Sequence, residues 1–176
     1  TRVQAARGER FDPAAAVAGT ARRVDAPAPP LALIDQDGRP TSLAEFGGRP
    51  VLVAFAYGHC ETVCPAIVHD ALGALAEAAV PDAGLLLVTL DPWRDTPGRL
   101  AAIARAWQLP AGARLLGGPV AQVEAALDAW GVARRRDPST GEIAHATEVF
   151  LVDRHGRLAW ITSSDRHRLA TLLRGL

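Results

Sequence analysis

A chain of 176 residues, 49% of them apolar, is long enough for one domain with a sizeable core. No apolar run approaches the roughly 18 residues needed to cross a bilayer, so the sequence reads as a soluble form. Nineteen acidic and nineteen basic side chains cancel, which leaves no electrostatic footprint for nucleic acid.

Residues 1–30 read as a tail or tether remnant. "TRVQAARGERFDPAAAVAGTARRVDAPAPP" mixes Ala, Arg, Gly and Pro with little periodicity and allows a short helix near Pro13 to Ala18. The chain opens on Thr1 with no signal peptide, as expected of a processed or truncated form. Order is expected from residue 31 to residue 176. "LALIDQDGRPTSL" reads as a hairpin around Asp37-Gly38. "RPVLVAFAY" is a continuous apolar run and predicts a buried strand. "TVCPAIVHDALGALAEAA" predicts a helix that starts near Thr62 to Cys64, because Pro65 fits only in a first turn. "AGLLLVTLD" is a second buried strand. "TPGRLAAIARAWQL" is a helix with Thr96 as N-cap and Pro97 at its first position. "ARLLGG" is a short strand or loop, and "PVAQVEAALDAWG" a helix closed by Gly131. "GVARRRDPSTGEIAH" is a loop or hairpin turning at Asp137 to Gly141, with Arg134-Arg135-Arg136 read as solvated. "TEVFLVDRHGRLAWIT" is a hairpin, and "SDRHRLATLLRGL" a terminal helix capped by Ser164 or Asp165. Two strand–helix–strand units followed by an antiparallel hairpin predict an α/β thioredoxin-like fold. Its central mixed sheet is flanked by helices and carries an added N-terminal hairpin.

Cys60 and Cys64 are the only cysteines. Spaced i, i+4 on a helix, they share a face with Cα atoms about 6 Å apart, within disulfide range. Both redox chemistry and chelation of one ion are therefore allowed. The motif lies where a strand hands over to a helix N-terminus, whose unpaired N–H groups and positive dipole end favour thiolate. A structural disulfide would close too short a loop to gain much. A closed zinc site needs four ligands, and no His-x₃₋₅-His pair exists. Two cysteines do not by themselves fix a redox compartment.

The chain has no Met, so a soft metal could be held only by Cys and His. His69 falls opposite the apolar face of its helix, beside Asp70, Gly73 and Glu77. His155 sits on a hairpin turn and His167 on the terminal helix, so all three read as solvated. His59 adjoins Cys60 but points to the other side of an extended segment. His145 precedes the run "TEVFLV", on the side of a thioredoxin-like sheet that faces the cysteine loop, and is the candidate third ligand. Two Cys and one His suit Cu(I) and, with some rearrangement, Cu(II). Asp91 to Asp95 follow the second buried strand on the same rim, where they either line the site or form a helix-capping turn.

"AYGHCETVCP", "LDPWRDTP" and "HATEVFLVDRHG" together resemble the Sco/SenC copper-chaperone family, over roughly residues 31 to 162. The resemblance implies a thioredoxin-like protein that binds copper through Cys60, Cys64 and His145. It departs from the family at Glu61-Thr62-Val63, at Gly58 where Thr is usual, and at Trp93 where a polar residue is more typical. What it implies is an exported metallochaperone at the periplasmic face of a bacterial inner membrane, membrane-anchored in its full-length form. Its task would be to help assemble the dinuclear copper centre of a cytochrome c oxidase. Its partners would be the copper-receiving oxidase subunit and a thioredoxin-like reductant or another copper carrier. The rival readings are a thiol–disulfide oxidoreductase, with Cys60 and Cys64 as the redox pair, and a copper- or redox-responsive signalling module.

Overall fold

The two uninterrupted apolar runs become adjacent parallel strands at the centre of the molecule. A computed structural model describes residues 21–60 and 63–176. In chain order the elements are β1 (Arg22–Pro27), β2 (Ala32–Ile34), β3 (Pro40–Ser42), a 3-10 turn (Leu43–Phe46), β4 (Val51–Ala56) and α1 (Val63–Ala78). They continue with β5 (Gly84–Thr89), α2 (Pro97–Ala106), β6 (Ala113–Leu116), α3 (Val120–Ala129), β7 (Arg134–Arg136) and β8 (Ile143–His145). β9 (Glu148–Val152), β10 (Arg157–Ser163) and α4 (Arg166–Leu173) close the chain.

Six strands form one sheet in the order β1-β10-β9-β4-β5-β6. β4, β5 and β6 are parallel, whereas β9, β10 and β1 join antiparallel. Every residue of β4 and β5 is buried, which is why their sequences run apolar without alternation. β2 and β3 form the expected hairpin as a separate two-stranded sheet, and β7 and β8 form another. α1 presents Cys64, Ile67, Val68, Ala71, Ala74 and Ala78 to the core, at the spacing of one helical face. Phe150 packs edge to face on both Phe55 and Trp130, which are tilted to each other, with centroids 5.4 to 6.2 Å apart. This is the thioredoxin-like arrangement that the order of elements predicts.

Two local expectations are corrected. Residues 22–27, assigned to the tail, form β1 against β10. The strand is half exposed and irregular between Arg23 and Ala26, so its sequence carries no apolar signal. The rest of the expected tail, with the short helix considered there, lies outside the described residues. Arg134 to Arg136 form a strand of the β7–β8 hairpin rather than a loop, with Arg135 and Arg136 still exposed. Arg134 pairs with Glu124 and Asp128 of α3. The polar side of α1 is partly covered by α4: Ser164 donates to Asp70, and Arg166 and His167 both meet Glu77.

Candidate metal centre

The cysteine loop starts where β4 ends. Tyr57 is buried, and the amide of Cys60 closes a turn onto its carbonyl at 3.2 Å. α1 begins three residues later, with Pro65 in its first turn, where no amide donor is needed. The amide of Cys64 instead donates to Cys60 Sγ at 3.3 Å. Cys60 thus accepts one of the helix's unpaired donors. Both residues are thiols in this structure.

The helix-terminus argument predicts easily ionised sulfurs, and for Cys64 the opposite holds. Cys64 is fully buried, and burial pushes its thiol above the ordinary value of 9.0. Desolvation outweighs the dipole, because the nearby amide is spent on Cys60.

His145, at the end of β8, is half-buried. Its Nδ1 lies 2.8 Å from the carbonyl of Ala146. A carbonyl can only accept, so the Nδ1–H donates and Nε2 keeps its lone pair. Burial lowers the imidazole's pKa below 6.5, which favours the neutral ring. Nε2 stands 3.6 Å from Cys64 Sγ, so the thiol proton has an acceptor there. Cys60 Sγ, Cys64 Sγ and the His145 nitrogen all lie within 4.8 Å of one another. Two donors each about 2.3 Å from one ion stand at most about 4.6 Å apart, so the set closes on a metal with a small inward shift. Among the described residues this is the sole cluster of its kind.

The other histidines stay out of the cluster. His59, His69, His155 and His167 are exposed, and His167 bonds Glu77. The Asp91 to Asp95 run contributes no donor to it and instead forms its scaffold. Asp95 is buried, and its Oδ2 accepts from the Gly58 amide at 2.9 Å and from Thr89 Oγ1 at 2.8 Å. A Cβ at Gly58 would stand 2.9 Å from Ile103 Cδ1 and 3.0 Å from Asp95 Oδ1, which fits the glycine there. Asp91 is buried and pairs with Arg94, whose Nη2 donates 2.7 Å to the Gly141 carbonyl. Thr96 precedes α2 as expected, but its side chain makes no capping bond.

Sequence reasoning passed over Tyr57, the chain's one tyrosine. Its hydroxyl accepts from the Ile143 amide at 3.2 Å and donates to Glu142 Oε2 at 3.1 Å. Its ring stands edge-on to His145, with centroids 6.0 Å apart. Its place next to the cysteine loop was the available signal.

The profile of the SCO1/SenC family matches residues 20–173. The mitochondrial SCO2 homologue of Bos taurus is 35% identical over 79 residues, 43% of this chain and 29% of that protein. The match therefore spans less than a third of that relative's length. Bradyrhizobium japonicum ScoI with copper bound superposes with a TM-score of 0.74 at 24% identity, over 85% of this chain and 99% of that one. BsSco, described as a member of the Sco family of cytochrome c oxidase assembly proteins and as carrying a disulfide switch, gives 0.71 at 21%, over 88% and 95%.

Proposed function

The chain belongs to the SCO1/SenC family, and on that premise we propose that it is a metallochaperone carrying one copper ion on Cys60, Cys64 and His145. The cargo is destined for the dinuclear copper centre of a cytochrome c oxidase, the assembly role ascribed to the family of BsSco. The protein works exported, at the periplasmic face of a bacterial membrane and anchored to it. Its partners are the receiving oxidase subunit and a reductant or second carrier that restores the thiols.

One observation carries the reading: a neutral imidazole presents a bare Nε2 to a buried thiol at 3.6 Å. Dithiol chemistry needs no such nitrogen, whereas Cu(II) needs a nitrogen donor beyond two thiolates and Cu(I) gains a third ligand from it. An ion bound by both groups takes the place of the proton between them, so loading releases protons. The closeness of the two sulfurs also supports thiol–disulfide exchange, in which the pair gives up two electrons and two protons to a target disulfide.

Anaerobic copper loading followed by native mass spectrometry tests the proposal. The reduced chain should take one copper and the oxidised chain none, because a Cys60–Cys64 disulfide removes two donors together. His145→Ala should keep some Cu(I) on two thiolates, and lose most Cu(II) with its sulfur-to-copper absorption. Its disulfide-reducing activity should be nearly unchanged. Equal loading of both redox forms, or a wild-type Cu(II) spectrum in the variant, would move the oxidoreductase reading ahead.

A further inference from the structure

His145 rides on an element that is not paired with the central sheet. The β7–β8 hairpin is a two-stranded sheet of its own, whereas both cysteines are fixed by β4 and α1. The geometry of the cluster therefore depends on what ties the hairpin down. Near its tip, the Arg94 guanidinium holds the Asp91 carboxylate with Nε and the Gly141 carbonyl with Nη2, 2.7 Å away. Beside it, the Arg136 guanidinium lies 4.8 Å over the Trp93 ring and 4.0 Å from Asp91 Oδ1. Nearer His145, the Tyr57 hydroxyl accepts from the Ile143 amide. The same short segment also grips the cysteine side: the Asp95 amide donates to the Asp91 carbonyl at 2.8 Å, and Asp95 Oδ2 accepts from Gly58.

We propose that Arg94 and Tyr57 are positioning residues that hold the His145 hairpin at a fixed distance from the cysteine pair. This rests on the copper reading above and adds to it where the third donor's precision comes from. Arg94 touches none of the three donors and acts through the backbone of Gly141. Its planar fork suits the task, because two donors on one rigid plane span a carboxylate and a carbonyl at once. A lysine would satisfy the buried Asp91 charge and lose the second contact.

The test compares Arg94→Lys and Tyr57→Phe in the wild-type and His145→Ala backgrounds, with Cu(II) as the probe against a competing chelator. Supporting groups around a metal typically change affinity 10–100-fold. Each variant should therefore weaken Cu(II) about tenfold or more when His145 is present, and less than twofold when it is absent. Cu(I) stoichiometry should stay at one. In the metal-free protein, hydrogen exchange at the Ile143 amide should quicken in both variants while that of β4 stays the same. Wild-type Cu(II) affinity and unchanged Ile143 exchange would overturn the proposal, as would equal losses in both backgrounds. If His145→Ala alone keeps wild-type Cu(II) affinity, the copper reading has failed, and the clamp is then judged on Ile143 exchange. Should one variant fail to fold, the other still decides, because the two grip the hairpin from different elements.

Discussion

Two neighbouring groups are expected to loosen the metal-free protein at opposite ends of the pH scale. Burial holds the His145 pKa below 6.5. In the window beneath 6.5 the unfolded chain binds more protons than the folded one, so stability falls as pH falls. Burial raises the Cys64 thiol above 9.0. Above that value the unfolded chain has lost a proton that the folded chain keeps, so stability falls as pH rises. Urea midpoints from pH 5 to pH 10 should therefore trace a dome. His145→Gln should flatten its acid limb and leave the alkaline one, and Cys64→Ser should do the reverse. A limb that survives its own substitution would place its origin elsewhere. Asp95, raised by burial, contributes with the opposite sign in acid, and both variants retain it.

Among the elements, two helices end on residues that resist the conformation imposed on them. Ala79, just after α1, has φ of +53°, and Gln108, shortly after α2, has +54°. These are left-handed positions where glycine is the usual choice. A side chain there costs about 1–2 kcal/mol, partly offset by glycine's greater freedom when unfolded. Ala79→Gly should raise stability by about 0.5–1 kcal/mol, read as a higher urea midpoint at unchanged slope. An unchanged or lower midpoint would mean that the Ala79 methyl contributes packing.

The elements also differ in how plainly the sequence announces them. β4 and β5 are legible because both faces are covered, so every position is apolar except Thr89, whose hydroxyl is satisfied by Asp95. The β9–β10 hairpin is legible from Asp153 and Gly156 at its turn, and α2 from Pro97. β7 is not, because its arginines meet partners on other parts of the chain, Arg134 at Glu124 and Asp128 and Arg136 at Trp93 and Asp91. At the cluster, Cys60 and Cys64 stand out by spacing and His145 by its place before a strand. Tyr57 and Arg94 do not, since each bonds backbone atoms far along the chain, with Ile143 86 residues away and Gly141 47. A contact to a backbone atom imposes no side-chain pattern on its partner.

For the molecule as a whole, β1 ties the N-terminal side of the described residues to the sheet. It closes one edge of the sheet, and Val24 packs on the core. A chain starting at residue 21 keeps β1 and serves as the reference. One starting at residue 28 should lose about 1–3 kcal/mol through the lost ladder and burial, seen as a lower midpoint. Equal midpoints for the two truncations would show that β1 adds nothing.

The direction of β1 also determines how the protein would hang from any attachment. Arg22 pairs with Ile161, Ser163 with Glu148, and Ala54 with Val149. The chain thus enters the sheet at the end where β4 releases the cysteine loop. The entry point is three strands to the side, about 14 Å at the usual strand spacing. A molecule held through the chain that precedes β1 is therefore held beside its working rim, and a pull there draws that rim toward the anchor.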